Sequence, residues 1–351
     1  MAYTTIDDPT AYFQTTLYTG NGGTQSVTNG GNSDLQPDWL WIKDRDDTFK
    51  HLLVDSVRGA TKHLSSVNTA AEITNTANVT SFTSDGFALS SDGNVNANAD
   101  KYVSWNWKAG TSFTNDASST GIGTIDSAGS VNNDAGFSIC SYTGTGSAGT
   151  IKHGLSTTPS TIIYKRRNST SGWVVWHKSI GTNILELNET GAAQGGSSYI
   201  NGTVPTSSVF SINTSGDINA DGGTYIAYCF AEKQGYSKFG SYVGNGNNDG
   251  PFVYTGFKPA WVLRKRTTTT TGHWFLNDNK RDGFNGDSSN DALLPNSTSA
   301  ETDPGRIDLL SNGFKVRHTD GDINASGETY IFKAFAENPF VTSTGVPATA
   351  R

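Results

Sequence analysis

Three stretches of this chain carry one alternation of apolar and polar positions: GNVNANADKYVSWNWKA at 93–109, DINADGGTYIAYCFAE at 217–232 and DINASGETYIFKAFAE at 322–337. In each, a short Asn-rich strand around Val95, Ile218 or Ile323 turns through Asn, Asp, Ser or Gly into a second strand that starts at Tyr102, Tyr225 or Tyr330. Val103, Trp105 and Trp107 then share one face, as do Ile226, Tyr228 and Phe230. The third copy keeps Ile331 and Phe335 but sets Lys333 between them. A period of two with bulky apolar residues on one face predicts a half-buried strand, so each stretch reads as a β-hairpin closing a sheet.

The same period extends the repeat upstream. LYTGNG at 17–22, YTGTG at 142–146 and YVGNG at 242–246 each predict a strand and a glycine turn, followed at nearly constant distance by PDWLWIKDR at 37–45, PSTIIYKRR at 159–167 and PAWVLRKR at 259–266. A third strand follows, around Phe49 or Leu52, Trp173 to Trp176, and Trp274 to Leu276. Divergent segments rich in Asn, Gly, Ser and Thr then fill 55–79, 180–205 and 278–306, and a strand with Phe87, Phe210 or Phe314 leads back into the closing hairpin. Repeats of roughly 100 residues with several short strands and turn-rich joins predict antiparallel sandwiches, each large enough for its own core.

The expected fold is therefore all-β, with three tandem antiparallel β-sandwich modules at 13–109, 136–234 and 235–338. An N-terminal arm occupies 1–12, a linker or long surface loop 110–135, and a loose C-terminal tail 339–351. A cut within 110–135 is expected to leave two folded pieces.

Composition sharpens this picture. Of 351 residues, 40 are glycine and only 16% are charged, so Asn, Ser and Thr supply a neutral, hydrogen-bonding surface. Aromatic residues reach 11%, with 8 tryptophans, and provide the core mass. Such a balance is that of extracellular or particle-borne β-proteins. A net charge of -7 argues against a nucleic-acid surface. No apolar run is long enough for a transmembrane helix, so membrane insertion is not expected, and MAYTTIDDPTAYF has neither a basic region nor an apolar stretch that would predict a secretory signal.

Candidate chemistry is sparse. The six histidines form no ligand pair, and His177 and His273, each beside a tryptophan, are expected at the sandwich rim. Asp44, Asp46 and Asp47 could form a one-repeat hydrolase or calcium site, or a solvated turn. Asp320, Asp322 and Asn324, matched loosely at 217–219 and 92–96, could hold calcium or simply form turns. No cofactor is otherwise implied. TGNGG lacks the GK[ST] ending of a phosphate loop, and the repeats share no acid pair, so the chain does not read as an enzyme. Cys140 and Cys229, in the opening and closing strands of the second repeat, are either a disulfide or two buried small hydrophobes. Trp39, Trp41, Trp105, Trp107, Trp176, Trp261 and Trp274 are candidate framework or interface aromatics, either stacking on sugar rings or filling cores and module boundaries. Trp39 and Trp41 are expected on one sheet face, with Leu40 and Ile42 on the other. Arg166, Arg167, Arg264 and Arg266 could meet acidic neighbours in an assembly or form solvated rims.

The combination of YTGNG, PDWLWIKDRD, FTSDGF and the closing NxNxxxxxYVSWNW resembles repeats of virion structural proteins from tailed bacteriophages, especially marine ones. The resemblance covers about residues 12 to 338. It implies concanavalin A or laminin G type jelly-roll modules, a non-enzymatic role and a place on the particle surface. The implied roles are a tail or head-surface fibre presenting lectin-like modules for host attachment, or a capsid decoration protein; a glycan-hydrolysing protein is the rival from the enzyme class. Implied partners are other virion proteins, further copies of this chain and a host-surface glycan. Trp39, Trp41, Trp105 and Trp107 match the framework of the first module, with Tyr164 and Trp261 at comparable positions in the others.

Overall fold

Runs such as WLWIKD and TIIYKR, rich in aromatic and β-branched residues, form strands because their side chains pack well on a pleated surface. The computed structural model describes residues 2–268, 272–281, 285, 291–301 and 306–347, and these form several antiparallel sheets of sandwich type. One strand order recurs in the three large sheets. The opening strand lies beside the closing strand, which lies beside the second and then the third. In the first repeat these are Phe13–Thr19, Lys101–Trp107, Trp39–Asp44 and Leu52–Asp55; in the second, Phe137–Thr143, Thr224–Phe230, Thr161–Arg166 and Trp173–His177; in the third, Ser237–Val243, Thr329–Pro339, Phe257–Arg266 and Trp274–Asp278. Register also repeats, with Tyr18 opposite Tyr102, Tyr142 opposite Tyr225 and Tyr242 opposite Tyr330. A smaller sheet accompanies each large one, formed around Gly86–Leu89, Val209–Ile212 and Gly313–Val316.

The large sheets are buried on both faces, not on one as the period of two suggested. Leu40, Ile42, Phe87 and Tyr102 pack within the first sheet pair; Cys140, Tyr164, Phe210 and Cys229 within the second; and Val262, Phe314 and Phe332 within the third. The opposite faces meet in one core shared by all three repeats, which holds Trp39, Trp41, Trp105, Trp107, Ile163, Trp173, Tyr228, Phe230, Trp261, Trp274, Leu276 and Phe335. Each repeat therefore has a core of its own and a share in a common one, and so is not a separate bead.

Three further expectations change. The Asn-rich segments are single helical turns, Gly93–Asn96, Gly216–Asn219 and Gly321–Asn324, rather than strands. Asp92, Ser215 and Asp320 cap them by accepting a backbone N–H two residues on, and Val95, Ile218 and Ile323 plug the sandwich with no exposed surface. Each turn is locked by the tyrosine that begins the closing strand: Tyr102 donates to Gly93 O at 2.7 Å, Tyr225 to Gly216 O at 2.8 Å and Tyr330 to Gly321 O at 2.5 Å.

The linker at 110–135 is structured. Its strands Thr111–Asn115 and Ser127–Asn132 extend the second large sheet beyond its opening strand. The arm docks where the second repeat joins the third: Tyr3 donates to Gly256 O at 2.6 Å, Thr4 to Gln234 O at 2.8 Å, and Ile6 enters the common core. The tail begins inside the closing strand, which runs to Pro339, and Ser343 is bonded to Asp7 of the arm at 2.6 Å; residues 348–351 lie outside the described residues.

Candidate functional site

The repeats meet along three seams that follow one plan. Each closing strand places a central residue, Trp105, Tyr228 or Lys333, against the last residue of the next repeat's third strand, Asp278, Asp55 or His177. Between the first and third repeats, the Trp105 indole donates to Asp278 at 3.0 Å, and Arg281 pairs with Asp278 at 2.7 Å and with Glu301 at 2.9 Å. Arg45 reaches the same Glu301 at 2.6 Å, and the Glu301 N–H donates to Arg45 O. Between the second and first, the Tyr228 hydroxyl donates to Asp55 at 2.7 Å, Arg58 pairs with Asp55 and Glu72, and Arg167 pairs with Glu72 at 2.9 Å. The Glu72 N–H donates to Arg167 O. A buried carboxylate that holds both a neutral donor and a guanidinium keeps its lone pairs occupied, which a buried charge requires.

The third seam keeps the backbone contact, Ala193 N–H to Thr267 O at 2.9 Å, but has no carboxylate at the position of Asp278 and Asp55. His177 stands in place of the aspartate, and its Nε2 lies 3.2 Å from Phe332 O. Facing it, the Lys333 amine is buried without a hydrogen-bond partner among the described residues. Burial pushes this amine down to about 7. Burial, and then the nearby Lys333 charge, pushes the His177 imidazole down to about 3. His177 thus lies in the interior and not at a rim, because the sheet end that carries it abuts the third repeat.

All eight tryptophans are at most 2% exposed. Trp39 stacks on Tyr228 with ring centres 4.6 Å apart, and Trp107 meets Trp261 edge-on at 5.6 Å. Trp41, Trp105 and Trp274 complete the common core, whereas Trp176 faces the second repeat's own interior and donates to Gly181 O at 2.7 Å. Leu40 and Ile42 lie on the opposite face from Trp39 and Trp41. None of these indoles can meet a sugar ring; they are framework.

The polar candidates are engaged likewise. Asp44 is buried and accepts the N–H groups of Asp46 and Asp47 at 2.8 Å, which makes that acidic cluster a turn. Asp92 and Asp320 spend an oxygen on the helix caps, and Asp320 also pairs with Arg306. Among the described residues no group of three or more His, Cys, Asp or Glu could hold a metal ion. Cys140 and Cys229 are both free and buried. Of the strand-end arginines, Arg167 pairs within the chain, Arg264 is buried and bonds Asn277 at 2.6 Å, Arg266 pairs with Glu328 at 3.2 Å and Arg166 bonds Asn168 at 3.1 Å.

Two surface features were not evident from the sequence. A groove of about 360 Å³ runs along the opening strand of the first repeat, between Thr28, Gly30 and Gly31 on one side and Ala260, Asn279, Lys280, Ala336 and Glu337 on the other. Phe252 and Tyr254, on one face of the short strand Phe252–Tyr254, are 47% and 52% exposed while Val253 between them is buried. The alternation in FVY could have revealed the aromatic pair. The groove has no local signal.

These features define an internally repeated, predominantly β protein with several antiparallel sheets of sandwich type. The chain belongs to the family described as Domain of unknown function (DUF7483), which matches residues 8–339. No curated protein matches it.

Proposed function

We propose that this chain is a non-enzymatic structural protein of a tailed-bacteriophage virion, carried on the particle surface as a tail or head-surface fibre component. In this reading residues 13–109, 136–234 and 235–338 are jelly-roll modules of lectin type, and their exposed loops meet the host surface. The observation that carries the reading is the common aromatic core. It spends seven of the eight tryptophans on joining the three repeats, leaving Asn, Gly, Ser and Thr loops as the accessible surface. Fold likeness alone would not make the protein a glycan binder. Support comes instead from Phe252 and Tyr254, an exposed aromatic pair suited to stacking on a sugar ring.

A second reading, capsid decoration, is favoured by the cyclic seams: three like repeats around one axis suit a site of local threefold symmetry on a shell. Electron microscopy of intact particles, at a resolution that places this chain, separates the two. Density radiating from the tail or a vertex supports the fibre, and Phe252→Ala with Tyr254→Ala should then reduce adsorption to the host. Density lying flat on the shell supports decoration. Absence from the particle overturns both and reopens the enzyme class.

A further inference from the structure

The three opening strands are equivalent in register, yet their outer edges are treated differently. In the second repeat, Ser127–Asn132 pairs along Phe137–Thr143, with Ser130 opposite Ile139 and Gly129 opposite Cys140. In the third, Ser237–Val243 ends its sheet but is guarded by charge, since Lys238 and Lys178 both pair with Glu232 there. Charged side chains, lysine above all, are a usual protection for a sheet edge. In the first, Phe13–Thr19 reads FQTTLYT, ends its sheet, and among the described residues has no covering strand and no charge of its own.

The free side of this strand can be specified. Lys108 N–H donates to Tyr12 O and Gly20 N–H to Asp100 O, so the even-numbered residues between them face the closing strand. Alternation in an antiparallel ladder then turns the N–H and C=O groups of Phe13, Thr15 and Leu17 outward. The groove lies along this row. Thr28, Gly30 and Gly31 wall it on the sandwich side, and Ala260, Asn279, Lys280, Ala336 and Glu337 wall it on the common-core side, so the groove's own charges are one of each sign. The Thr15 hydroxyl beside it is buried without a hydrogen-bond partner among the described residues, and Leu17 is 39% exposed. Walls on both faces admit one strand but obstruct the edge of a second complete sheet, which excludes simple edge-to-edge pairing of two copies.

We propose that this groove accepts an extended segment of a partner protein, paired antiparallel to Phe13–Thr19, by the mode in which Ser127–Asn132 occupies the second repeat. The inference does not rest on the virion reading. The internal occupant defines the chemistry of the external one: SAGSVN is uncharged and small, and at Gly129 an added Cβ would lie 1.8 Å from Ile139 O. The partner strand is therefore neutral and rich in Ser, Ala and Gly, with its affinity coming from main-chain hydrogen bonds.

The test uses the full-length protein and a synthetic peptide of sequence TIDSAGSVNN, copied from residues 124–133. Hydrogen exchange should be fast at the Thr15 and Leu17 amides in the protein alone and slow at least tenfold with saturating peptide. Leu17→Pro removes an outward N–H at an edge position where proline is tolerated, so it should melt like the parent and lose peptide binding, while Leu17→Val retains it. The proposal is overturned if millimolar peptide gives no protection, or if Leu17→Pro binds as well as the parent. Protection that appears without peptide and grows with protein concentration also overturns it, because a second copy would then be the occupant.

Discussion

The indole N–H of Trp105 and the carboxylate of Asp278 lie 3.0 Å apart across the boundary between the first and third repeats, both essentially without solvent contact. Asp278 also holds Arg281, whose other arm reaches Glu301. Removing one partner of such a pair leaves an uncompensated buried charge. Asp278→Asn should therefore cost about 3–5 kcal/mol of unfolding free energy in urea titrations at neutral pH, and Asp55→Asn a similar amount. A loss below about 1 kcal/mol in both would show that the seams are not set by their ions.

The common core changes what a break at 110–135 should do. Separating the first repeat would expose the face bearing Trp39, Trp41, Trp105 and Trp107, and truncation of one such aromatic alone costs about 3–5 kcal/mol. Residues 1–109 and 136–351 expressed apart should lack cooperative melting, whereas a chain nicked in place should stay associated. Two sharp, independent transitions from the separate pieces would restore the picture of separate beads.

Lys333 is the weak point of the third seam. Its amine lies near 7 in the folded chain against an ordinary value of 10.5, so the unfolded chain binds more protons between these limits and stability rises with pH through that window. Lys333→Met should stabilise the protein at pH 7 by about 1–4 kcal/mol, the range for replacing buried ions by apolar side chains of like volume. The advantage should shrink towards pH 10.5 as the parent's lysine becomes neutral in both states. Paired urea titrations at the two pH values measure this, and a constant difference would refute it.

Three buried asparagines act as clamps on the glycine turns. The Asn219 amide donates to Ser147 O at 2.7 Å and Asn213 O at 2.6 Å and accepts from Thr145 N–H at 2.8 Å; Asn96 and Asn324 do the same in the other repeats. Asn219→Ala should leave these groups short of partners and cost at least about 1–3 kcal/mol, readable as a lowered Tm. An unchanged Tm would mean that water substitutes freely there.

The alternation around Trp39 to Ile42 and Val103 to Trp107 determined by itself that these are strands, that they recur three times, and which side chains share a face. Those are local properties, carried by a period of two and by turn residues at fixed offsets. A four-residue helical turn is too short to show its own period, so the segments at Val95, Ile218 and Ile323 read as strands although Asp92 and Asp320 already supplied a cap. The destination of the tryptophan face could not be read, because a core within one sandwich and a core among three impose the same pattern on each strand. Likewise, nothing within FQTTLYT says that it ends a sheet. Both facts are set by contacts between residues far apart in the chain, such as Trp105 with Asp278 and Trp39 with Tyr228, and only the tertiary structure decides them.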